Sequence, residues 1–295
     1  MKEKIQIDKI VEKIEETGLV ENISSIESFA EGNANNIFLI NKKYVLKVAK
    51  ENPKGTEVNN INIESIILES LKGAMQNIPE LIYRNPDFNC YLSNLIPGEV
   101  LKPFLFKMDN NKKKELGKQL GSFLYKFHNQ KINTKLQICP SKNYHTKRKH
   151  QAEVISKLKK KSEEISKLIT EINEIIKKSL SHNENIVLTH SDYHWKNILI
   201  NPHSHVFSGL VDFGNVCLDH PEVDFRQMMG RYDIELGVEM VLEYEKLQKK
   251  KMDRELLFAH CALNDLWHYY GRENKDPTPW YNKWVDKKEY FINFC

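Results

Sequence analysis

The character of the chain changes once, at Pro97-Gly98, and that change restricts the fold more than any other feature of the sequence. Ahead of it, short strand-like runs rich in β-branched and aromatic residues occupy 23–30, 37–40, 44–49, 81–83 and 90–95. Asn41-Lys42-Lys43 and Asn85-Pro86-Asp87-Phe88-Asn89 supply tight connections. Two helical stretches join them. Residues 5–20 carry Ile7, Ile10, Val11 and Ile14 at helical spacing and stop at Gly18, and residues 62–71 carry Glu64, Leu68 and Leu71 on one side. After Gly98 the helical period holds over 112–129, over 143–180 and from Asp224 onward, interrupted by a β stretch at 186–213. Ile155, Leu158, Ile165, Leu168, Ile169, Ile172 and Ile176 form one apolar stripe. The expected class is α+β with two lobes: a small antiparallel β lobe over 1–96, a joint near 94–98, and a larger, mostly helical lobe over 97–295.

Charge and cysteine content narrow the class. The 295 residues hold 44 Lys and Arg against 40 Asp and Glu, and a net charge of +4 is too mild for a dedicated nucleic-acid or membrane-surface binder. No apolar run approaches the ~18 residues of a membrane helix. Met1-Lys2-Glu3-Lys4-Ile5 lacks the apolar core of a secretory signal. Cys90, Cys139, Cys217, Cys261 and Cys295 are scattered, as free thiols in a reducing compartment are. The expectation is a cytoplasmic protein with neither nucleic-acid nor membrane partners. The lysine runs at 112–114, 159–161 and 249–251 read as solvated helix faces.

The chemistry concentrates in His190-Ser191-Asp192-Tyr193-His194-Trp195-Lys196-Asn197, followed by Asp212-Phe213-Gly214. H-x-D-x-x-x-x-N and a later D-F-G have the spacing of kinase catalytic and metal-binding loops. Phosphoryl transfer needs an in-line hydroxyl and divalent metal shielding the phosphates. Asp192 would orient that hydroxyl and accept its proton, and Asn197 would offer a neutral oxygen to Mg²⁺. A hairpin through 201–205 would return the chain so that Asp212 serves the same ion. In the first lobe, Val45-Leu46-Lys47-Val48-Ala49 sets a lysine inside an apolar strand, where charge is costly unless paired. Glu64 is its fitting partner, with Glu69 the alternative, and Lys47 would grip the α/β-phosphates. There is no GxGxxG and no GxxxxGK[ST]. The turn Glu31-Gly32-Asn33-Ala34-Asn35-Asn36 is either a phosphate-facing loop or a plain hairpin turn. Only Asn215–Leu218 separates D-F-G from Asp219-His220-Pro221-Glu222-Val223-Asp224, no A-P-E follows, and Ser191 stands where protein kinases carry Arg. A protein substrate is therefore not expected.

With these residues in place, the sequence resembles the aminoglycoside phosphotransferase and choline-kinase-like superfamily along essentially its whole length. The marks are Tyr44 to Val48, Glu64-x-x-x-Leu68-x-x-Leu71, Ile96-Pro97-Gly98-Glu99-Val100-Leu101, 188–200 and 210–225. The Ile-Pro-Gly segment and the D-F-G followed by D-H-P-x-x-D-F look most like the aminoglycoside 2″-phosphotransferases, while His194 and Trp195 depart from many relatives. The resemblance implies a bilobal kinase-like fold with a nucleoside triphosphate, ATP or GTP, between the lobes. It further implies Mg²⁺ and transfer of the γ-phosphoryl group to a small-molecule hydroxyl. By position, Asp192 matches the catalytic base, Asn197 and Asp212 the metal ligands, Lys47 the phosphate lysine, and the backbone around Ser93, Asn94 and Ile96 the purine-binding hinge. An aminoglycoside is the leading acceptor. Choline, homoserine, a thio-sugar or a macrolide remains the alternative within the fold. A non-catalytic nucleotide-binding module is the alternative outside it, against which the intact Lys47, Asp192, Asn197 and Asp212 set argues.

For the acceptor itself, the chain after Gly214 holds 12 basic residues against 15 acidic, a mild acidity that suits a cationic small molecule. Asp219, the i,i+4 pair Glu235 and Glu239, Asp265, and Trp267 beside it are the candidate acceptor residues. Asp224 reads as a brace or cap for the catalytic loop. The remaining C-terminal aromatics, Trp280, Trp284, Tyr269, Tyr270 and Tyr281, read as core.

Overall fold

The computed structural model describes residues 2–31, 34–51, 61–132, 162–181, 185–270 and 278–294. The chain divides into two compact units, Met1–Gly98 with Ser208–Asn215, and Glu99–Phe207 with Val216–Cys295.

In the first unit, helix α1 (Lys2–Glu16) precedes strands β1 (Ile26–Glu31), β2 (Asn35–Ile40) and β3 (Tyr44–Ala49), then helix α2 (Ile61–Leu71), β4 (Leu81–Asn85) and β5 (Cys90–Asn94). The strands form one antiparallel sheet in the order β1-β2-β3-β5-β4. Ile10 and Ile14 of α1 are fully buried and pack with Ile40, Leu46, Val48, Cys90 and Leu92 of the sheet. The expected stop holds: Gly18 takes φ +67, and its N–H bonds the Glu15 carbonyl. The β2–β3 hairpin turns through the three residues Asn41 to Lys43, with Asn41 and Lys42 at φ 50 and 53 and the Lys43 N–H on the Ile40 carbonyl at 3.0 Å. Asn41 Oδ1 also accepts the Ser24 and Ser25 N–H groups at 2.9 and 3.1 Å, which ties the lead into β1 to this turn.

The segment Ser208–Asn215 is part of this unit through a reciprocal clasp. Leu210 N–H donates to the Asn77 carbonyl, and Asn77 Nδ2 donates to the Ser208 carbonyl, both at 2.8 Å. A Cβ on Gly209 would lie 2.7 Å from the Ile96 side chain and 2.8 Å from Asn77 O, so only glycine fits between them.

In the second unit, β6 (Glu99–Val100) leads into helices α3 (Lys102–Leu105), α4 (Asn110–His128) and α5 (Glu163–Ser181). Strands β7 (Val187–Thr189), β8 (Ile198–Ile200), β9 (Phe207–Leu210, most of it counted with the first unit) and β10 (Cys217–Asp219) follow. Then come α6 (Glu222–Gln227), one π-helical turn at Met228–Tyr232, α7 (Ile234–Gln248), α8 (Arg254–Tyr270) and α9 (Thr278–Asn293). Strand β6 pairs with β8, and β7 with β10, both antiparallel. Ile165, Leu168, Ile169, Ile172 and Ile176 are buried on α5 as the stripe requires, while Ile155 and Leu158 lie outside the described residues. Helices α4 and α7 cross at Gly117 and Gly121. A Cβ on Gly117 would sit 2.6 Å from Glu239 Cβ, and one on Gly121 would run into the Met240 carbonyl. The lysine run at 112–114 is not wholly solvated, because Lys113 pairs with Asp233 at 2.6 Å. Trp280 and Trp284 are core. No described helix is long and apolar enough to cross a membrane.

Candidate active site

Lys47 lies on β3, between Ile37 of β2 and Tyr91 of β5, and is 6% exposed. A lysine so deep in a sheet stays charged only if anions meet it. Two do: Glu64 Oε2 of α2 at 2.6 Å and Asp212 Oδ1 at 2.8 Å. Burial disfavours the Lys47 ammonium, but Glu64, Tyr91 and Asp212 together hold it well above the usual lysine value. Glu64, not Glu69, is the partner. Its other oxygen accepts the Phe213 N–H at 2.9 Å, so one carboxylate fixes both the lysine and the peptide after Asp212. Asp212 itself holds φ +71, an uncommon conformation for a non-glycine residue and one found where function constrains the backbone. Its side chain is 44% exposed and so within reach of a ligand.

At the end of β5, Ser93 is buried opposite Val45 and Leu81. Asn94 Oδ1 accepts the Glu80 N–H at 2.6 Å, and Leu95 N–H bonds the Lys43 carbonyl at 2.8 Å. These bonds anchor the strand's exit. Of the turn from Glu31 to Asn36, Gly32 and Asn33 lie outside the described residues.

The second unit presents Asp192 from the loop between β7 and β8. Asp224 on α6, fully buried, accepts the N–H groups of His190 and Ser191 and faces His128 Nε2 at 3.1 Å. Arg226 donates to the Ser191 carbonyl at 2.7 Å. Ser191 adopts φ 63, and its hydroxyl meets Thr189 Oγ1 at 2.8 Å and Cys217 Sγ at 3.0 Å. Gln227 Nε2 donates to Asp192 Oδ1 at 3.0 Å, and His194 Nε2 stands 3.7 Å from Oδ2. Asn197 Nδ2 donates to the Asp192 carbonyl at 3.0 Å. With its nitrogen so engaged, the amide keeps its oxygen as an acceptor. An amide oxygen such as that of Asn197 in the second unit and a carboxylate such as that of Asp212 in the first are each hard donors of the kind Mg²⁺ takes. Among the described residues no three His, Cys, Asp or Glu side chains gather to hold a metal unaided.

Sequence reasoning placed Asp224 as a brace and missed Gln227, Arg226, Tyr232, His128 and Tyr244. A signal was available for one: Asp224 and Gln227 are three apart on α6 and so share a face. The acceptor candidates differ in how far their own neighbours engage them. Asp219 is buried, with Oδ1 on the His220 N–H at 2.9 Å. Asp265 is buried and takes Lys283 Nζ and Trp284 Nε1 on one oxygen, at 2.7 and 2.8 Å. Glu239 packs over Gly117 and faces Lys114 at 3.7 Å. Glu235 is exposed at the start of α7. The side chain of Trp267 lies outside those described. Counting charges along a chain does not reveal which acids burial and lysine partners have already engaged.

The sequence profile of the phosphotransferase enzyme family matches residues 25–258. None of the curated proteins matches the chain. Among solved structures, an ADP-bound aminoglycoside phosphotransferase APH(2'')-Ib is similar at 19% identity and TM-score 0.64, over 97% of this chain and 99% of that one. A GDP and kanamycin complex of the 2''-phosphotransferase of type IIIa is similar at 18% and 0.66, over 92% and 94%. Choline kinase from Cryptosporidium parvum Iowa II is similar at 14% and 0.57, over 92% and 90%. At these identities the likeness is one of fold, and the fold is kinase-like: an antiparallel sheet unit and a helical unit.

Proposed function

Because the chain belongs to the phosphotransferase enzyme family, we propose that it transfers the γ-phosphoryl group of ATP or GTP to a hydroxyl of a small molecule, an aminoglycoside first among them. The observation that carries this reading is Lys47, buried and clamped between Glu64 and Asp212. Asp192, presented from a loop tied down by Asp224 and Arg226, joins it in support. In the step itself the acceptor oxygen bonds the γ-phosphorus, and the bond from that phosphorus to the β–γ bridging oxygen breaks. The hydroxyl proton passes to Asp192. Lys47 pairs with α/β-phosphate oxygens, and the backbone around Ser93, Asn94 and Ile96 takes the purine. Asn197 and Asp212 would hold Mg²⁺, which supplies charge neutralisation at the phosphates.

The aminoglycoside acceptor is supported by likeness along nearly the whole chain to a structure holding kanamycin. A second reading, a metabolic kinase for choline, homoserine, a thio-sugar or a macrolide, has its own observation. Asp219 and Asp265 are buried and Glu239 faces a lysine, which leaves Glu235 as the exposed acid of the four. A coupled nucleotide-turnover assay with Mg²⁺, run with ATP and with GTP, separates the two. Its acceptors are kanamycin, gentamicin, choline, homoserine, a thio-sugar and a macrolide. Aminoglycoside-dependent turnover is the expected result. Turnover with choline or another metabolite instead moves the enzyme into metabolism, and nucleotide binding without any turnover overturns both readings.

A further inference from the structure

We propose that Gln227 is a positioning residue for Asp192 and that Tyr232 in turn sets Gln227, an inference that rests on Asp192 acting as the base. A carboxylate at the end of one rotatable bond occupies a broad torsional well, so its two oxygens are equivalent until a partner distinguishes them. Gln227 does so by donating to Oδ1 at 3.0 Å. At Oδ2, His194 Nε2 stands 3.7 Å away, too far for a hydrogen bond, which leaves that oxygen for a hydroxyl proton.

A glutamine amide can present either end, and here Tyr232 decides which. Its hydroxyl donates to Gln227 Oε1 at 3.2 Å, so only the nitrogen can face Asp192. Arg231 Nη1 donates to the same hydroxyl at 3.3 Å, which commits the hydroxyl proton to Gln227. The donors therefore run in one direction, Arg231 to Tyr232 to Gln227 to Asp192. The Tyr232 ring is held by stacking on Trp195, with centroids 3.9 Å apart and planes at 16°, and Trp195 lies in the same loop as Asp192.

The backbone explains how residues five apart come to meet. Gln227 ends α6, and the next turn, Met228–Tyr232, is π-helical and closes with Asp233 N–H on the Met228 carbonyl at 2.9 Å. A π turn brings i and i+5 into register, where an α turn would bring i and i+4. Gly230 lets this turn lie close to α8, since a Cβ there would come 3.1 Å from the Cys261 carbonyl. Gln227 is 4% exposed.

The test is steady-state turnover with Mg²⁺-ATP and the fastest acceptor of the panel above, or with water where none is turned over. Gln227→Ala lowers kcat by about 10- to 100-fold, the cost of a misplaced catalytic group, and leaves the KM for ATP unchanged. Tyr232→Phe keeps the ring stack, lowers kcat less, and adds nothing once Gln227 is already alanine. If Gln227→Ala does not fold, the isosteric Gln227→Glu answers, with at least as large a loss because it sets carboxylate against carboxylate. Parental kcat in the folded variant overturns the proposal. Asp192→Asn runs beside it. An inactive Asp192→Asn with a fully active Gln227→Ala sinks only the positioning role, whereas a fully active Asp192→Asn sinks the base reading beneath it.

Discussion

Asp224 accepts the backbone N–H groups of both His190 and Ser191 at 2.7 Å, and so sets the two peptides that lead into Asp192. Its third donor, His128 Nε2 at 3.1 Å, is held in turn by Tyr244, whose hydroxyl lies 2.9 Å from Nδ1. Burial works against the Asp224 carboxylate. The His128 hydrogen bond and charge, the charge of His190 and the His190 N–H outweigh it and hold its carboxyl below the usual aspartate range. A buried anion with three donors is a strong fixture while all three remain and a liability when one is lost.

Asp224→Ala is expected to cost about 3–5 kcal/mol of unfolding free energy, the usual price of breaking a buried charged cluster, read by urea titration. Because the folded carboxyl is depressed, the stabilisation is full above the ordinary aspartate value of about 3.9 and fades as pH falls through the folded one. The parent should therefore lose more stability on acidification than Asp224→Asn does. Parallel pH curves for the two would contradict the assignment.

Asp212→Ala removes one of the two anions on Lys47 and the half-exposed carboxylate proposed for Mg²⁺. Calorimetric binding of ATP with and without Mg²⁺ is expected to show the metal-dependent gain in affinity disappear. A variant that still binds tighter when Mg²⁺ is added would remove Asp212 from the ligand set.

Gly121 faces the Met240 carbonyl with no space for a side chain. Gly121→Ala should force α4 and α7 apart and cost about 1–3 kcal/mol despite alanine's better helix propensity. Thermal unfolding reads the sign directly: a rise in Tm would mean the crossing has slack.

Glu222 is buried, with Oε1 on the Asp253 N–H at 3.2 Å and no hydrogen-bond partner for Oε2 among the described residues. Burial pushes its carboxyl up to about 7. The folded chain then holds its proton at pH values where the unfolded chain has released it. Stability should fall as pH rises from about 4.3 towards neutrality, by something of order 3 kcal/mol, and level off beyond. Glu222→Gln should flatten that slope between pH 5 and 8 in a series of denaturant titrations, and an unchanged slope would assign it to other groups.

What the sequence made legible was mostly local. Asn41-Lys42-Lys43 marked a hairpin, Gly18 a helix end, and Lys47 a charge in need of a partner on the next helix, each within a few residues or one element of its cause. Asp192, Asn197 and Asp212 could be named because the spacing of a loop is itself local. The tertiary supports could not. His128 meets Tyr244 across 116 positions and Asp224 across 96, and no periodicity encodes such pairs. Tyr232 was hidden for another reason: the π turn shifts the register by which it would be counted a neighbour of Gln227. The acids proposed for the acceptor show the opposite limit, since composition counts Asp265 as available charge although Lys283 and Trp284 already hold it.

The clasp of Asn77 on Ser208 and Leu210 bears on how such a chain can be cut or recombined. A fragment ending at Gly98 would keep all five strands of its sheet. It would lack the peptides that satisfy Asn77 and the second carboxylate on Lys47. The sheet unit is thus discontinuous in sequence, and no single crossover can exchange it intact between two genes. Inheritance of Lys47 and of Asp212 is bound to everything encoded between them.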